Sequence, residues 1–510
     1  MTTTIRAVFV AFVMVVLRPV PGTAADNACQ DLLKLSTANT AVTLAEQVPA
    51  GGFQSPREAQ GGPNAARFSA LPGFCRLAAT LTPSPDSDIR IEVWLPSSGW
   101  NGKFQAVGNG GWGGAISYPA MALALSRGYA TASTDTGHAT PGAGFAIGHP
   151  EKLNDYAYRS VHEMTVTAKA AINAFYGSVP RLSYFNGCST GGRQGLIEAS
   201  RYPEDFDGII AGAAANPKTR LDTWRIWMAL ETLREPHKRI PEEKYPAIHG
   251  AVLAACDGLD GLADGLIDDP PSCRFDARVL ACREGDGPHC LTEGQIESVT
   301  TILGPAKSPG TGAELFPGYA AGTELRWGQL IGGPDPSETA LEQFRMVFTD
   351  PTWDWRSFDV DRDMARTEEA MKGLLTAIDP MSLRSFIDRG GKLLTYHGWG
   401  DQSIAPMASV SFFKDAAAAL GADKAASSLR LFMVPGMGHC GGGEGPNTFD
   451  MMVPLEQWVE NGLAPSRVVA SHSTDGKVDR TRPLCAYPAV ARHTGTGSTD
   501  DAENFVCRLP

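Results

Sequence analysis

A serine flanked by small residues stands in the pentapeptide Gly187-Cys188-Ser189-Thr190-Gly191, which matches the pattern G-x-S-x-G. This pattern marks a sharp strand-to-helix turn, in which small neighbours let the serine adopt a strained backbone and expose its hydroxyl. The apolar run Leu182 to Phe185 directly before it favours a strand, and a helix is expected from about Gly192. Ser189 is therefore the predicted nucleophile.

A serine hydroxyl needs a base to remove its proton, and the base needs a third group that holds its tautomer. Where G-x-S-x-G marks this turn, the chain order is Ser, Asp, His. His439 follows the last apolar run in a glycine-rich stretch and is the predicted base, and Asp401 follows the preceding run and is the predicted acid. His138 competes for the role of base but precedes Ser189, which breaks the order. The alternatives are a surface histidine at His439 and a helix cap at Asp401.

Each half of this pair has a cysteine as its direct neighbour, because Cys188 precedes Ser189 and Cys440 follows His439. A disulfide holds its two Cα atoms within about 7 Å. A bond from Cys188 to Cys440 would therefore clamp the serine turn to the histidine loop. Closing so long a loop could also contribute roughly 5 kcal/mol of stability in the chain-entropy model.

The oxyanion of a tetrahedral intermediate needs donors, and the N–H of Thr190 is the expected first one. The second is expected from Gly108-Asn109-Gly110-Gly111, where glycines let the backbone approach a substrate closely. The N–H of Gly111 is the favoured second donor, and that of Gly110 is the alternative. A plain glycine turn is the structural alternative.

A second stretch with chemical potential runs from Cys256 to Leu266 and carries an aspartate at every third or fourth position, separated by glycines. Such a loop can wrap a hard cation with oxygen ligands. It lacks the glutamate at position twelve of an EF-hand, so a different calcium loop is predicted, with a plain acidic turn as the alternative. The predicted side-chain ligands are Asp257, Asp260 and Asp264, with Asp268 and Asp269 close enough to be outer ligands.

The elements that must position these residues follow from hydrophobic periodicity. Ile89 to Leu95 alternates apolar and polar residues and predicts a half-buried antiparallel strand, whereas Val161 to Phe175 has helical spacing and Gly177 is its expected C-cap. Alternating strands and helices predict an α/β fold, an α/β-hydrolase core with a mainly parallel sheet covered by helices. The buried parallel strands are predicted at Phe104 to Val107, Tyr129 to Ala132, Leu182 to Phe185, Gly208 to Ala211, Lys392 to Tyr396 and Leu429 to Val434.

The alternation stops at residue 217 and returns after residue 377, which predicts a lid domain inserted into a catalytic domain formed by residues 26–216 and 378–510. A chain of 510 residues is long enough for such an insertion. Aromatic residues of the insert could line a substrate pocket or form the core of the lid. They are Trp327, Phe344, Phe348, Trp353 and Trp355.

Residues 1–25 combine Arg6, an apolar stretch and a small-residue exit, the pattern of a secretory signal peptide. A membrane anchor is disfavoured because the stretch is shorter than the ~20 residues needed to span. We expect a secreted or periplasmic protein. Removal of Arg6 and Arg18 changes the formal charge from −12 to −14, so nucleic acid and membrane partners are not expected.

Ten cysteines in an exported chain predict disulfides. Spacing favours local bonds, and zinc is a poor competitor because the sequence contains no CxxC pair. These local pairs are Cys256 with Cys273, Cys282 with Cys290, and Cys485 with Cys507, which leaves Cys29, Cys75, Cys188 and Cys440.

With Cys188-Ser189, Asp401 and His439-Cys440, the chain resembles the tannase and feruloyl esterase family of α/β-hydrolases over essentially its whole mature length. The resemblance implies the cysteine pair beside serine and histidine, a Cys29–Cys75 bond, and a structural calcium loop in the lid. In that loop the Leu262 and Leu266 carbonyls join the three aspartates.

The resemblance also implies a serine carboxylesterase that hydrolyses small esters of aromatic or phenolic acids, of plant cell-wall or polyphenol origin. Thr190 in Cys188-Ser189-Thr190-Gly191-Gly192-Arg193-Gln194 looks more like the feruloyl esterase and tannase branches than the mono(2-hydroxyethyl) terephthalate branch. Feruloyl esterase-like activity is favoured, with gallate or terephthalate esters as alternatives. A peptidase or lactonase, and a calcium-dependent binding protein on a hydrolase scaffold, are the rival classes.

Overall fold

The computed structural model describes residues 24–56, 62–375 and 378–510, with the backbone alone for residues 24–26. Nearly all of the predicted signal peptide, residues 1–25, therefore lies outside the described residues. Among the described helices, none is long and apolar enough to cross a membrane.

Nine strands form one sheet, in the order β1-β2-β3-β5-β4-β6-β7-β10-β11. The first three strands pair antiparallel and β3 pairs antiparallel with β5, whereas the strands from β5 to β11 along this order are parallel. The mainly parallel sheet confirms the predicted fold class. The strands are β1 Thr40–Val48, β2 Phe74–Leu81, β3 Ile89–Pro96, β4 Lys103–Val107, β5 Ala130–Thr134, β6 Leu182–Cys188, β7 Gly208–Gly212, β8 Ala306–Lys307, β9 Glu314–Phe316, β10 Lys392–Gly398, β11 Leu429–Val434, β12 Arg467–Thr474, β13 Lys477–Cys485, β14 Val490–His493 and β15 Phe505–Arg508.

Helices connect the parallel strands and cover the sheet. The predicted helix around residues 161–175 is present and ends at Tyr176, because Gly177 takes the left-handed backbone (φ 72°) that a C-cap needs. The helices are α1 Ala24–Asp31, α2 Ala65–Ser69, α3 Tyr118–Ser126, α4 Pro150–Asn154, α5 Ser160–Tyr176, α6 Thr190–Arg201, α7 Lys218–Thr232, α8 Tyr245–Cys256, α9 Glu293–Leu303, α10 Gly328–Ile331, α11 Glu338–Phe348, α12 Val360–Met371, α13 Arg384–Asp388, α14 Met407–Leu420, α15 Ala422–Ser428 and α16 Met452–Asn461.

Residues 213–391, which we call the insert, lie between β7 and β10 and contain α7 to α13 with the short pair β8 and β9. Its helices bury a hydrophobic cluster that includes Trp224, Ile248, Val299 and Phe344. This cluster is separate from the one that joins α5 and α6 to the sheet. The boundaries at residues 217 and 377, and the function of the insert as a lid, stay predictions.

Five disulfides join all ten cysteines. Cys29 pairs with Cys75 and ties α1 to β2, while Cys188 pairs with Cys440 across 252 positions of sequence. The three remaining bonds are local and lie in the insert or near the C-terminus. They are Cys256–Cys273, Cys282–Cys290 and Cys485–Cys507.

Candidate active site

Ser189 occupies the turn between β6 and α6, with the positive φ of 64° that few non-glycine residues adopt. Its N–H donates to the Gly212 carbonyl of β7 at 2.9 Å, which fixes the turn against the sheet. The neighbours must be small, because a Cβ on Gly187 would lie 2.6 Å from the backbone of Gly191 and one on Gly192 would lie 2.2 Å from the Gly212 oxygen. The local sequence therefore dictates the strained turn.

The structure brings Ser189, His439 and Asp401 together from three loops. His439 Nε2 lies 2.9 Å from Ser189 Oγ, and His439 Nδ1 lies 2.8 Å from Asp401 Oδ2. Asp401 follows β10 and His439 follows β11, so both loops leave the same edge of the parallel sheet as the serine turn. This geometry lets one imidazole contact a hydroxyl and a carboxylate at once, the arrangement required for proton removal from serine.

Asp401 is fully buried and accepts four hydrogen bonds. Its Oδ1 accepts the N–H groups of Ser403 and Ile404 at 2.7 and 2.9 Å, and its Oδ2 contacts His439 and also His397 Nε2 at 3.0 Å. Burial alone would raise the pKa of Asp401, but the interaction with His439 and the hydrogen bonds from both histidines outweigh it and hold the pKa well below its ordinary value. The carboxylate stays ionised beside the imidazole.

His397 is a site residue that sequence reasoning missed. It is fully buried at the end of β10, and its Nδ1 lies 2.7 Å from Ser409 Oγ, which leaves Nε2 directed at Asp401. The available signal was its position four residues before Asp401 at a strand end, but that spacing alone does not say which way the ring points.

The Cys188–Cys440 bond has a Cα–Cα distance of 6.0 Å and joins the residue before the serine to the residue after the histidine. Cys440 itself has a φ of 61°, so the chain turns sharply directly after His439. The bond thus limits how far the serine turn and the histidine loop can separate.

The loop after β4 lies against the start of α6. Asn109 O accepts the N–H of Gly191 at 2.7 Å, and Gly111 O accepts Thr190 Oγ1 at 2.5 Å. The predicted oxyanion residues Thr190 and Gly111 are therefore neighbours. Gly110, the alternative donor, accepts the N–H of Gly113 through its carbonyl at 3.0 Å and forms part of the same turn.

Gln194 holds this loop in place and was also missed from sequence. Its Oε1 accepts the N–H of Asn109 and its Nε2 donates to Asn109 Oδ1, both at 3.0 Å. Asn109 Nδ2 in turn donates to Ala115 O and Thr134 O at 2.8 and 2.7 Å. The loop is thus fixed by hydrogen bonds from α6, the helix that begins directly after Ser189.

The insert contacts the loops that carry Asp401 and His439 through polar side chains. Arg225 donates to Ser403 O at 2.7 Å, next to Asp401, while Arg326 forms a two-point ion pair with Glu444 on the histidine loop. Gln402 donates to Gln329 Oε1 at 2.6 Å. These contacts tie the insert to the residues that flank the site.

The family model of tannase and feruloyl esterase matches residues 75–508. The chain belongs to the tannase and feruloyl esterase family, as the resemblance in its sequence predicted. Probable feruloyl esterase B-2 of Aspergillus terreus is 31% identical over 93% of both chains, and an uncharacterized esterase of Xanthomonas campestris is 38% identical over 95% of this chain and 91% of its own. This tannase and feruloyl esterase family member is therefore a carboxylic ester hydrolase.

Solved structures agree with that assignment. Feruloyl esterase B from Aspergillus oryzae matches 95% of this family member and 100% of its own chain, with a TM-score of 0.88 and 30% identity. The tannin acyl hydrolase from Aspergillus niger has a TM-score of 0.76 at 21% identity over 95% of each chain, a likeness of fold.

Two of the aromatic residues of the insert lie in its core, one of the two alternatives that the sequence leaves open for them. Trp327 and Phe344 are fully buried in the core of the insert, and Trp327 Nε1 donates to Thr323 Oγ1 at 3.0 Å. Phe348 is partly buried and packs on Phe344. The pocket assignment is therefore corrected for Trp327 and Phe344, whose burial removes large apolar surface from water and stabilises the fold, and it stays a prediction for Phe348.

His138, the competing base, packs elsewhere. It stacks on Phe145 with ring centroids 3.6 Å apart, and burial lowers the pKa of His138 to about 4.

A cavity of about 870 Å³ opens between residues 270–321 of the insert and the side chains of Trp399 and Met407, but neither Ser189 nor His439 lines it.

The stretch from Cys256 to Asp269, which we call the acidic loop, folds as a series of turns in which its aspartates accept main-chain N–H groups. Asp257 accepts the N–H groups of Asp264 and Gly265 at 3.3 and 2.9 Å, and Asp260 accepts the N–H of Leu262 at 2.9 Å. Leu266 donates its N–H to Asp264 at 3.3 Å. All five predicted ligand residues therefore belong to one compact loop.

The donor chemistry of this loop fits a hard cation. Asp268 is buried, both of its carboxylate oxygens lack a hydrogen-bond partner, and it helps to line a small cavity of about 40 Å³ with Asp257 and Asp260. Burial raises the pKa of Asp268 to about 7 despite the neighbouring Arg482, whose guanidinium pairs with Asp264. Two arginines, Arg482 and Arg492, lie among these more numerous aspartates, so the loop keeps an excess of carboxylates that a bound cation would neutralise.

Proposed function

We propose that this protein is a secreted or periplasmic serine esterase that hydrolyses esters of aromatic and phenolic acids, with feruloyl-type esters as the preferred substrates. The proposal is carried by one observation, the continuous contact from Ser189 Oγ through His439 to Asp401 at 2.9 and 2.8 Å. This contact supplies an activated nucleophile in a family of ester hydrolases.

In the first step, His439 Nε2 removes the hydroxyl proton as Ser189 Oγ attacks the ester carbonyl. Asp401 remains ionised, keeps the second proton of the imidazole on Nδ1 and stabilises the imidazolium. The carbonyl oxygen becomes an oxyanion, which accepts hydrogen bonds from the N–H groups of Thr190 and Gly111. Collapse of the intermediate breaks the ester C–O bond, and His439 delivers its proton to the leaving alcohol.

In the second step, water enters the place of the alcohol. His439 removes a proton from the water while its oxygen attacks the acyl carbon. The new tetrahedral intermediate collapses, the bond to Ser189 Oγ breaks, and the proton on His439 returns to the serine. The products are the aromatic acid and the free enzyme.

The preference for feruloyl-type esters rests on the relatives. Feruloyl esterases of two Aspergillus species are 30% and 31% identical to this chain over nearly its whole length, whereas the tannin acyl hydrolase is 21% identical. A small aromatic ester is therefore the substrate class we assign. Secretion or periplasmic location is supported by five disulfides, which are typical of oxidising compartments.

We also propose that the acidic loop binds one calcium ion with a structural role. Bound there, calcium would neutralise the clustered carboxylates and hold the turns of the loop together. The ligands would be Asp257, Asp260 and Asp264 with the Leu262 and Leu266 carbonyls, and Asp268 provides buried negative charge beside them.

The test compares wild type, Ser189→Ala and the matched control Ser200→Ala on methyl ferulate, methyl gallate and mono(2-hydroxyethyl) terephthalate. Ser200 lies on the same helix but contacts Ser382 instead of the triad, at 2.6 Å. We expect fastest release of ferulate, loss of activity in Ser189→Ala, and near-normal activity in Ser200→Ala.

Preference for gallate or terephthalate esters would correct the substrate and leave the esterase mechanism intact. Hydrolysis that persists in Ser189→Ala, or a folded wild type without activity on any of the three esters, would overturn the proposed nucleophile or the proposed function. A binding protein on a hydrolase scaffold would give the second result.

A further inference from the structure

Three side chains away from the triad form a compact cluster of nitrogen and oxygen donors. His162 lies on α5, Glu198 lies near the end of α6, and Asp205 lies in the connection from α6 to β7. One donor atom from each residue lies within 4.8 Å of the other two. His162 Nδ1 and Asp205 Oδ2 are 2.7 Å apart, and the histidine ring stacks on Tyr202 with centroids separated by 3.8 Å.

Glu198 is the unsatisfied member of this cluster. Only 1% of the residue is exposed, and neither carboxylate oxygen has a hydrogen-bond partner. Its carboxylate instead faces that of Asp205, and burial together with this like charge raises the pKa of Glu198 well above its ordinary value. A buried carboxyl group without donors is costly, and it is normally neutralised by a proton, a cationic side chain or a metal ion.

The cation near this cluster does not satisfy Glu198. Lys169 donates its hydrogen bond to the main-chain carbonyl of Asp205 at 2.6 Å, and its ammonium also lies over the ring of Phe206. His162 is committed to Asp205. Neither Lys169 nor His162 therefore donates to Glu198, whose carboxyl group lies within 4.8 Å of the donor atoms of His162 and Asp205.

We propose that His162, Glu198 and Asp205 bind a divalent transition-metal cation, for which Zn²⁺ is the appropriate probe. One imidazole nitrogen and two carboxylate oxygens form a donor set that zinc accepts, and the His162 side chain is 29% exposed, so a water molecule from solvent would be the fourth ligand. Zinc would replace the proton between His162 and Asp205, so the affinity falls as the pH is lowered.

Such an ion would join α5, α6 and the turn after α6 at one point. Helix α6 begins directly after Ser189, so the ion would hold the far end of the helix that presents the nucleophile. Its predicted role is structural, because the reacting atoms of the triad lie at the opposite end of α6. This site is independent of the proposed esterase function and of the acidic loop.

Zinc binding to calcium-saturated protein, measured by isothermal titration calorimetry, tests the proposal. Excess calcium occupies the acidic loop and keeps it from contributing to the signal. We expect one zinc ion per chain for wild type. Glu198→Gln and His162→Gln should each weaken zinc affinity by at least about tenfold, since even outer-shell partners of metal sites contribute that much. Glu163→Gln removes the same charge next to His162 without removing a ligand and should bind like wild type.

X-ray absorption at the zinc edge adds a readout that does not depend on folding energetics. One nitrogen and two carboxylate ligands support the assignment. No saturable binding to wild type would mean that Glu198 shares a proton with Asp205, and the proposal would fall. Equal zinc affinity in wild type and both glutamine variants would place the ion elsewhere and overturn it as well.

Discussion

The loop after β10 and the acidic loop each bury an aspartate, and their surroundings shift the pKa of that aspartate in opposite directions. Asp401 accepts hydrogen bonds from two histidines and two main-chain N–H groups, and its pKa is held low. Asp268 in the acidic loop has no hydrogen-bond donor, and burial raises its pKa to about 7. Burial is common to both, so the supply of donors decides which carboxylate stays charged.

The difference teaches what each region requires. The two histidines and two main-chain N–H groups around Asp401 stabilise its ionised carboxylate beside the imidazole of His439, so no bound cation is needed there. The acidic loop supplies carboxylate oxygens in excess of its arginines: Arg482 pairs with Asp264 and lies 3.6 Å from Asp268 without a hydrogen bond to it, and Arg492 lies nearby. We therefore expect changes near Asp401 to affect catalysis and changes in the acidic loop to affect stability.

The largest effect is expected from Asp401→Asn. The amide keeps the size of the carboxylate but no longer holds the His439 tautomer that accepts the serine proton, so kcat/KM for methyl ferulate should fall by about 10⁴-fold. Circular dichroism should show a folded protein. A loss smaller than about tenfold would mean that another group holds His439. The expectation that changes near Asp401 mainly affect catalysis would then be wrong.

The next largest effect is expected from removal of the Cys188–Cys440 disulfide, which we call the clamp, in the double variant Cys188→Ser/Cys440→Ser. Small displacements of reacting groups can cost about 100-fold in rate, so kcat/KM should fall by about that factor. The bond spans 252 positions, and its loss could lower the free energy of unfolding by roughly 5 kcal/mol in the chain-entropy model. Kinetics and urea unfolding measure the two effects separately.

The matched control is Cys485→Ser/Cys507→Ser, which removes a bond that spans 22 positions near the C-terminus. It should lower stability while leaving kcat/KM close to wild type. If both double variants lose activity equally, the clamp acts only through overall stability and does not position the triad.

Much of the fold was predictable because its signals are local. The parallel strands were predicted within three residues of their ends, since short apolar runs bounded by glycine specify buried strands. The serine turn follows from Gly187 and Gly192, whose places in the structure leave no room for a side chain. The antiparallel strands β1 and β2 were not predicted: β1 is a partly exposed edge strand with a weak pattern, whereas β2 pairs with both β1 and β3 and is mostly buried.

The rest depends on contacts between distant residues. His397 and Gln194 look unremarkable in the sequence, and their functions arise only when β10 meets the Asp401 loop and α6 meets the loop after β4. For Trp327 and Phe344 the sequence leaves two alternatives open, because an aromatic residue looks the same in the sequence whether it lines a pocket or a core. Solvent exposure, a property of the folded chain, separates the two.

Calcium removal tests the expectation that the acidic loop affects the stability of the protein. A ligand present at 100 times its Kd stabilises the folded protein by about 2.7 kcal/mol, so EGTA should lower the Tm of calcium-saturated wild type. Asp260→Asn should show a much smaller response to EGTA, whereas Asp276→Asn, an exposed acid of the same segment paired with Arg278, should respond like wild type. Equal Tm with and without EGTA in wild type would argue against the calcium proposal.

The smallest effect is expected from His397→Ala, and its sign is informative. Because His397 donates to the same carboxylate oxygen as His439, its loss removes a charge-assisted hydrogen bond worth about 1.5 kcal/mol or more and should reduce kcat/KM by about tenfold. The loss also leaves more negative charge for His439, which favours the imidazolium. The acid limb of the pH profile of kcat/KM should therefore move to higher pH. A purely structural role would lower the rate at every pH without moving that limb, so an unchanged profile would show that His397 only fills space beside Asp401.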